Sequence, residues 1–335
     1  MENWAIARQS IVENHRGQLA ADIASLRTRL DQLRDTQTVK VDQLIGEANE
    51  LINLITDLNP KISKFEASGL LRNDAGSLRT QRYNALSRLS EIIPIRFREN
   101  KEGTIDVFSG SDYLILTGET QQLESYPVGD RNVTVNYVRL TNTKSLLSQT
   151  SGGELSGIID GRDAVLGGFI DELDVLASNL IFEFNRIHSS GEGLAGFSSL
   201  TADNKVDDSN AVLNATNLSF TPTHGSFELR ITSTSGATET TKISIDLDGI
   251  GADSSLESLR ASLDAVANVS ASITPSGQLQ INADPDFEFR FANDTSGVLT
   301  VLGINTFFRG SDSNDIGINS VVASDHQFFA SSQGG

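Results

Sequence analysis

Four histidines, at positions 15, 188, 224 and 326, are the side chains best suited to ligate a metal or move a proton near neutral pH. None belongs to an H-x-x-x-H or H-E-x-x-H pair, so the spacing predicts no zinc site. His188 falls at the end of a helical pattern, where it is expected to cap or pack. Two acidic stretches, Asp203-Asn204-Lys205-Val206-Asp207-Asp208 and Asp312-Ser313-Asn314-Asp315, carry the oxygen ligands that calcium prefers. Neither has the EF-hand spacing with its glycine and terminal glutamate, and solvated loops are the better reading. Arg162-Asp163 sets two opposite charges side by side, as a helix-surface ion pair or a subunit contact.

Covalent chemistry finds little to work with. The chain has no cysteine, which removes disulfides, thiolate nucleophiles and Cys-based metal sites together. There is no G-x-S-x-G elbow, P-loop or dinucleotide fingerprint. Carboxylates abound, but nothing in the pattern gathers two of them into a cleft. No catalytic, cofactor-binding or metal-binding residue is predicted, and the chain reads as no enzyme. Its net charge of −18 and pI near 4.6 disfavour nucleic acid and anionic membrane surfaces as partners. No apolar run approaches the roughly 20 residues that span a bilayer. The opening Met1-Glu2-Asn3-Trp4 lacks the basic start of a secretory signal.

The elements that must position these residues begin with long helices. At 335 residues the chain is expected to form two or three domains. Leu19, Ile23, Leu26, Leu30 and Leu33 alternate steps of four and three. Leu44, Ala48, Leu51, Ile55, Leu58, Ile62 and Phe65 repeat the alternation, the seam of helices packed at shallow angles. These seams are expected to be intramolecular core, with Asn49 and Asn53 beside the second one solvated. Pro60 predicts a kink or a break near Asn59. Ser68-Gly69 and Asn73 to Gly76 read as a loop. Leu78, Ala85, Leu86, Leu89, Ile92 and Ile93 then form a third apolar series, closed by Pro94.

From Ile95 the period falls to two. Ile95, Phe97, Ile105 and Val107 alternate across Asn100-Lys101-Glu102-Gly103, a hairpin signal. Tyr113 to Leu116 and Val133, Val135, Tyr137 continue a small antiparallel β domain. Helical spacing returns after Gly152-Gly153 with Val165, Phe169, Leu173, Leu176, Leu180, Phe184 and Ile187. Beyond it, 227–231, 242–247, 279–281 and 287–291 alternate as strands, and Ser255 to Val266 reads as a helix with Leu256, Leu259 and Leu263 on one face. The fold class is therefore α+β and multidomain. A long-helix bundle, or rod (1–94, 146–194 and 319–335), is interrupted by two β-rich insertions, 95–145 and 195–318.

Several short motifs occur in order: Ala7-Arg8-Gln9-Ser10-Ile11-Val12 at the start of a long helix, and the run from Leu78 to Ser90, similar to L-x-x-x-R-D-x-x-L-x-x-L-S with Tyr83 in place of Asp. Gly152 to Asp163 is similar to GG-x-L-x-G-l-l-x-x-R-D. It is followed by Leu173-Asp174-Val175-Leu176-Ala177 and Asn185-Arg186-Ile187-His188. Together these motifs resemble the flagellar hook-associated protein 1 family. Asp325 to Ser332 looks like the start of a return toward the family's C-terminal helix. The family's own termini are missing, so the resemblance implies a core piece of a longer protein, with Met1 not its natural start.

The resemblance implies a structural junction protein between the bacterial flagellar hook and the filament, required for filament assembly. It implies as partners the hook protein, the second hook–filament junction protein, further copies of itself in a ring, and an export chaperone that binds the absent C-terminal helix. It places the protein outside the cell, on the flagellum, after export by the flagellar type III system. Another axial flagellar protein (second junction protein, hook protein or flagellin) is an alternative. So is a secreted adhesin or glycan-binding protein reading through 195–318, although that stretch has no Trp or Tyr. A hydrolase hidden in the same stretch would need a deep polar pocket.

Overall fold

A computed structural model describes residues 2–67, 72–147 and 152–330. The architecture is α+β, with a long N-terminal helix followed by β-rich regions. It divides into two compact units, Thr28–Asp171 and Met1–Arg27 with Glu172–Gly335. The three-part division anticipated above cuts the chain at other places.

In the first unit the core is a helical seam that closes over a β layer. Helix α1 (Glu2–Ala67) supplies Val41, Leu44, Ile45, Ala48, Ile52 and Ile55, and α2 (Arg72–Ile92) supplies Ala85, Leu86, Leu89 and Ile92 to the same cluster. Steps of three and four keep these positions on one face of each helix. Pro60 does not break α1, which continues to Ala67. Burial of Leu58 and Ile62 on both sides of the proline offsets the lost backbone bond, which costs about 3 kcal/mol. Residues 73–76, expected as loop, already lie in α2. Asn and Asp suit the first turn of a helix as well as they suit a turn, which explains the misreading. Ser68 and Gly69 lie outside the described residues.

The β layer follows without long connections. Strands β1 (Arg96–Glu99), β2 (Ile105–Ser109), β3 (Asp112–Leu116) and β4 (Glu119–Thr120) form an antiparallel sheet in that order. The hairpin across Asn100 to Gly103 forms as the alternation indicates. Strands β5 (Leu123–Asp130) and β6 (Val133–Leu140) pair as a separate long hairpin. Asn49 is not solvated as expected: its amide accepts from Leu123 N at 2.8 Å and donates to Leu123 O at 2.9 Å, pinning the start of β5 to α1.

Helix α3 (Gly153–Asp160) runs into a π-helical turn, Gly161–Leu166, and then into α4 (Gly167–Ser189). Gly153 has φ of +83°, and a Cβ there would lie 2.5 Å from the carbonyl oxygen of Ile92. Both the left-handed backbone and the close approach demand glycine. Gly153→Ala is expected to cost about 2 kcal/mol, read as a lowered denaturation midpoint at unchanged slope.

In the second unit the sheets are short and antiparallel. Strands β7 (Ser199–Thr201), β8 (Gly225–Ser233) and β9 (Thr238–Ile245) are followed by helix α5 (Leu256–Asp264). Strands β10 (Val269–Ile273), β11 (Leu279–Ala283) and β12 (Phe287–Ala292) complete two three-stranded sheets, β10-β11-β7 and β12-β8-β9. Leu256, Leu259 and Leu263 of α5 enter a core with Phe227, Phe289 and Phe291. Ser255 caps α5 through a reciprocal bond with Ser258. Further on lie α6 (Val298–Leu302), the small pair β13 (Phe308–Arg309) and β14 (Gly317–Ile318), and α7 (Ser320–Ser324). A 3₁₀ turn, His326–Phe328, stands where a return toward a long helix was expected. Ser331 and Ser332 lie outside the described residues.

Candidate assembly surface

The polar residues that stand out in the sequence are mostly buried knots. In the first unit Arg162 is fully buried: its guanidinium grips Asp163 through Nε at 2.7 Å and Nη2 at 3.0 Å, and donates to Asn136 O at 2.8 Å. The Tyr137 ring lies 5.2 Å from its Cζ. Arg162-Asp163 is thus an internal pair, neither a helix-surface pair nor a subunit contact made by the arginine. It sits within the π-helical turn. Burial pushes the Asp163 carboxyl up, but bonds from Arg162 and Tyr137 and the charges of Arg162 and Arg34 outweigh it and leave it below the usual range.

Arg82 forms a second knot in this unit. It donates to Asn59 Oδ1 at 2.9 Å, to Gly103 O at 2.6 Å and to Glu99 at 3.2 Å. Asn59 in turn holds both backbone groups of Ile105. The residue just before Pro60 therefore ties α1 and α2 to the first hairpin. Burial is the main effect on Arg82 and lowers its pKa, with Glu99 opposing.

The second unit repeats the device at Asn185 and His188. Asn185 Oδ1 accepts from Phe307 N at 3.0 Å and Phe308 N at 2.9 Å, while Nδ2 donates to Phe308 O at 2.8 Å. One amide thus satisfies three buried backbone groups. Asn185→Ala is expected to cost about 2 kcal/mol by chemical denaturation, since those groups lose their partner without gaining water. His188 packs as anticipated. Its Nδ1 lies 2.8 Å from Asn305 O and its Nε2 accepts from Ala330 N at 3.0 Å, which fixes the neutral Nδ1–H form. Arg27, also buried, reaches Asp174 at 2.9 Å.

The acidic stretches serve turns. Asp315 Oδ1 accepts from Ser311 N and Asp312 N, and Asp208 Oδ1 from Asn210 N. Asp203 is more enclosed; burial raises its pKa, and Asn319 donates to it at 2.6 Å.

Several large apolar side chains expected inside lie at the surface instead. Leu19, Leu26 and Leu33, expected in the core, are 44%, 47% and 48% exposed. The buried face of α1 is shifted by one residue and holds Ala20, Ile23, Arg27 and Arg34. A similar displacement occurs on α4 and the π-helical turn before it. Ile170, Leu173, Ala177 and Ile181 are buried, whereas Val165, Phe169, Leu176 and Ile187 are exposed, the last three by 55%, 58% and 61%. Large apolar side chains repeated at seven-residue steps on a solvent face mark a helix surface suited to another helix. Sequence reasoning found these residues but assigned them to the wrong side. Only the buried arginines could have given the correct phase, and hydrophobic periodicity does not count them.

Comparison with known proteins places the chain in context. Residues 5–201 match the family described as flagellar hook-associated protein FlgK helical domain. No curated protein matches the sequence. The structure is similar to that of the flagellar hook junction protein FlgK from Burkholderia pseudomallei, with a TM-score of 0.53 and 14% identity. That similarity covers 97% of this chain and 56% of the other, so the chain spans a little over half of its structural relative.

Proposed function

Because the chain belongs to the family of flagellar hook-associated protein FlgK, we propose that it is a structural part of the hook–filament junction, required for assembly of the filament. The observation that carries the reading is the exposed leucine series on α1. Three large apolar side chains at 19, 26 and 33 face solvent on a helix whose opposite face is already packed. An unpartnered stripe of this kind fits a protein that works by lying against neighbouring helices, and it does nothing for catalysis. In this reading the protein is no enzyme and stands outside the cell on the flagellum, exported by the flagellar type III system. Its neighbours are the hook protein, the second junction protein and further copies of itself in a ring. An export chaperone escorts it before assembly.

Leu19→Asp combined with Leu26→Asp tests the role. The exposed positions predict a normally folded protein by circular dichroism, with filaments lost in electron micrographs of the producing cells. Normal filaments, or a tagged protein located away from the junction, would overturn it. The division into a helical part (1–94, 146–194 and 319–335) and two β-rich parts (95–145 and 195–318) belongs to the same proposal. Limited proteolysis checks it, with first cuts expected near 95, 145, 195 and 318.

A further inference from the structure

The chain contains two Asp-Gly pairs, Asp160-Gly161 and Asp248-Gly249, and no Asn-Gly pair. In such a pair no Cβ shields the glycine amide, which can attack the aspartate carboxyl and close a five-membered ring. The fold holds the two pairs in opposite states. Asp160 and Gly161 are both right-handed helical, with φ of −63° and −60°, and the Gly161 amide donates to Gly157 O and Ile158 O. A helical Cβ tilts toward the N-terminus, which turns the Asp160 carboxyl away from the amide that follows it.

Asp248-Gly249 lies on the loop between β9 and α5. Asp248, Gly249, Ile250 and Gly251 are all exposed, Ile250 by 78%. Gly249 and Gly251 have φ of +77° and +87°, and a Cβ at either would meet nothing within 4 Å. Ile250 N donates to Asp248 Oδ1 at 2.8 Å, an Asx turn that folds the carboxyl back along the Gly249 amide. That amide donates to Asp253 Oδ1 at 3.0 Å. The neck of the loop is closed separately. Asp246 N donates to Ser254 Oγ at 2.9 Å, and Ser254 N to Asp246 O at 2.6 Å.

We infer that Asp248 is a modification site, where the folded loop promotes spontaneous isomerisation to isoaspartate. The protonated carboxyl is attacked at Cγ by the Gly249 nitrogen while the Asp253 carboxylate takes the amide proton. The Ile250 N–H, already on Oδ1, stabilises the charge that builds on that oxygen. The Cγ–Oδ2 bond then breaks. Oδ2 leaves as water with the proton that Asp253 received, so a succinimide remains and the base is restored. Water then adds to the ring at the old main-chain carbonyl, and the bond from that carbon to the Gly249 nitrogen breaks. The chain now runs through the former side chain, with unchanged mass, one more methylene in the backbone and a free carboxylate on the old main-chain carbon. Open space around both glycines accepts the extra length, and the Asp246–Ser254 neck keeps β9 and α5 in place. Because the folded loop sets the rate, the converted fraction records how long a chain has been folded.

The test is incubation of the full chain in mildly acid buffer, followed by peptide mapping with electron-transfer fragmentation, which separates isoaspartate from aspartate of equal mass. In the folded protein isoaspartate should accumulate at Asp248 at least about tenfold faster than at Asp160, and in concentrated urea the two sites should react at similar rates. Asp253→Asn keeps an acceptor for the Gly249 amide but not the basicity. It should slow Asp248 at least about tenfold in the folded protein and leave the rate in urea unchanged. Equal rates at the two sites in the folded chain, or a faster reaction at Asp248 in urea than in the folded loop, would overturn the site. An unaltered folded rate in Asp253→Asn would overturn the assigned base. Circular dichroism and melting curves check that the variant folds.

Discussion

Acidification from pH 7 to pH 4 is expected to remove about 3 kcal/mol of stability through His188 alone. Burial lowers its pKa from 6.5 to about 4; the hydrogen bond to the Asn305 carbonyl opposes the shift, and the charge of Arg16 adds to it. A depressed histidine pKa means that the unfolded chain takes up its proton first. The contribution is therefore complete above the unfolded value of about 6.5 and is lost as pH falls through the interval down to about 4. Below that value both states are protonated and no further loss accrues from this group. Urea denaturation at several pH values, for the wild type and for His188→Gln, isolates the effect. Glutamine can donate to Asn305 O and accept from Ala330 N but cannot titrate, so its profile between pH 6.5 and 4.5 should be flatter. Parallel profiles for the two proteins would remove His188 as the cause.

Arg162→Ala is expected to be the most damaging single change, at about 4 kcal/mol. The substitution opens a cavity, leaves Asn136 O without its donor and strips Asp163 of a bidentate partner in a largely buried place. Arg34 lies 3.9 Å from Asp163 and softens the loss without matching that geometry. Arg162→Lys should recover little, because an ammonium cannot make the forked contact. The double change Arg162→Met with Asp163→Leu should recover much of the loss, since removing both charges also removes the cost of burying them. Thermal and denaturant unfolding of the three variants measures this directly. A double variant as unstable as Arg162→Ala would show that the charges themselves are not the issue.

These two cases also show where the sequence was readable. The third apolar series and α5 were legible because one face of each is apolar and the other polar, so period and phase agree; the first hairpin was legible from its turn, although β1 is exposed throughout and β2 is buried on both faces. The first seam was legible in period and at Ile23, but not in phase at Leu19, Leu26 and Leu33. Leu19, Leu26 and Leu33 outrank Ala20, Arg27 and Arg34 on any hydrophobicity scale, yet the latter are inside. Guanidinium groups enter a core only when a carboxylate or carbonyl awaits them, and such partners come from distant sequence. Strand β5 was missed because Pro127 and Gly129 interrupt its alternation; β6 pairs along its whole length regardless.

The buried arginines of α1 have a mechanical consequence. A seam made only of alanine, isoleucine and leucine can slide by one repeat and find nearly equivalent sockets. Arg27 and Arg34 sit one heptad apart, and each has its own mate within its own unit, Asp174 for the first and Asp130 for the second. Displacing the helix along its axis must part charged hydrogen bonds before any new ones can form. Under tension α1 should therefore hold its register like a keyed shaft up to a threshold force, instead of creeping.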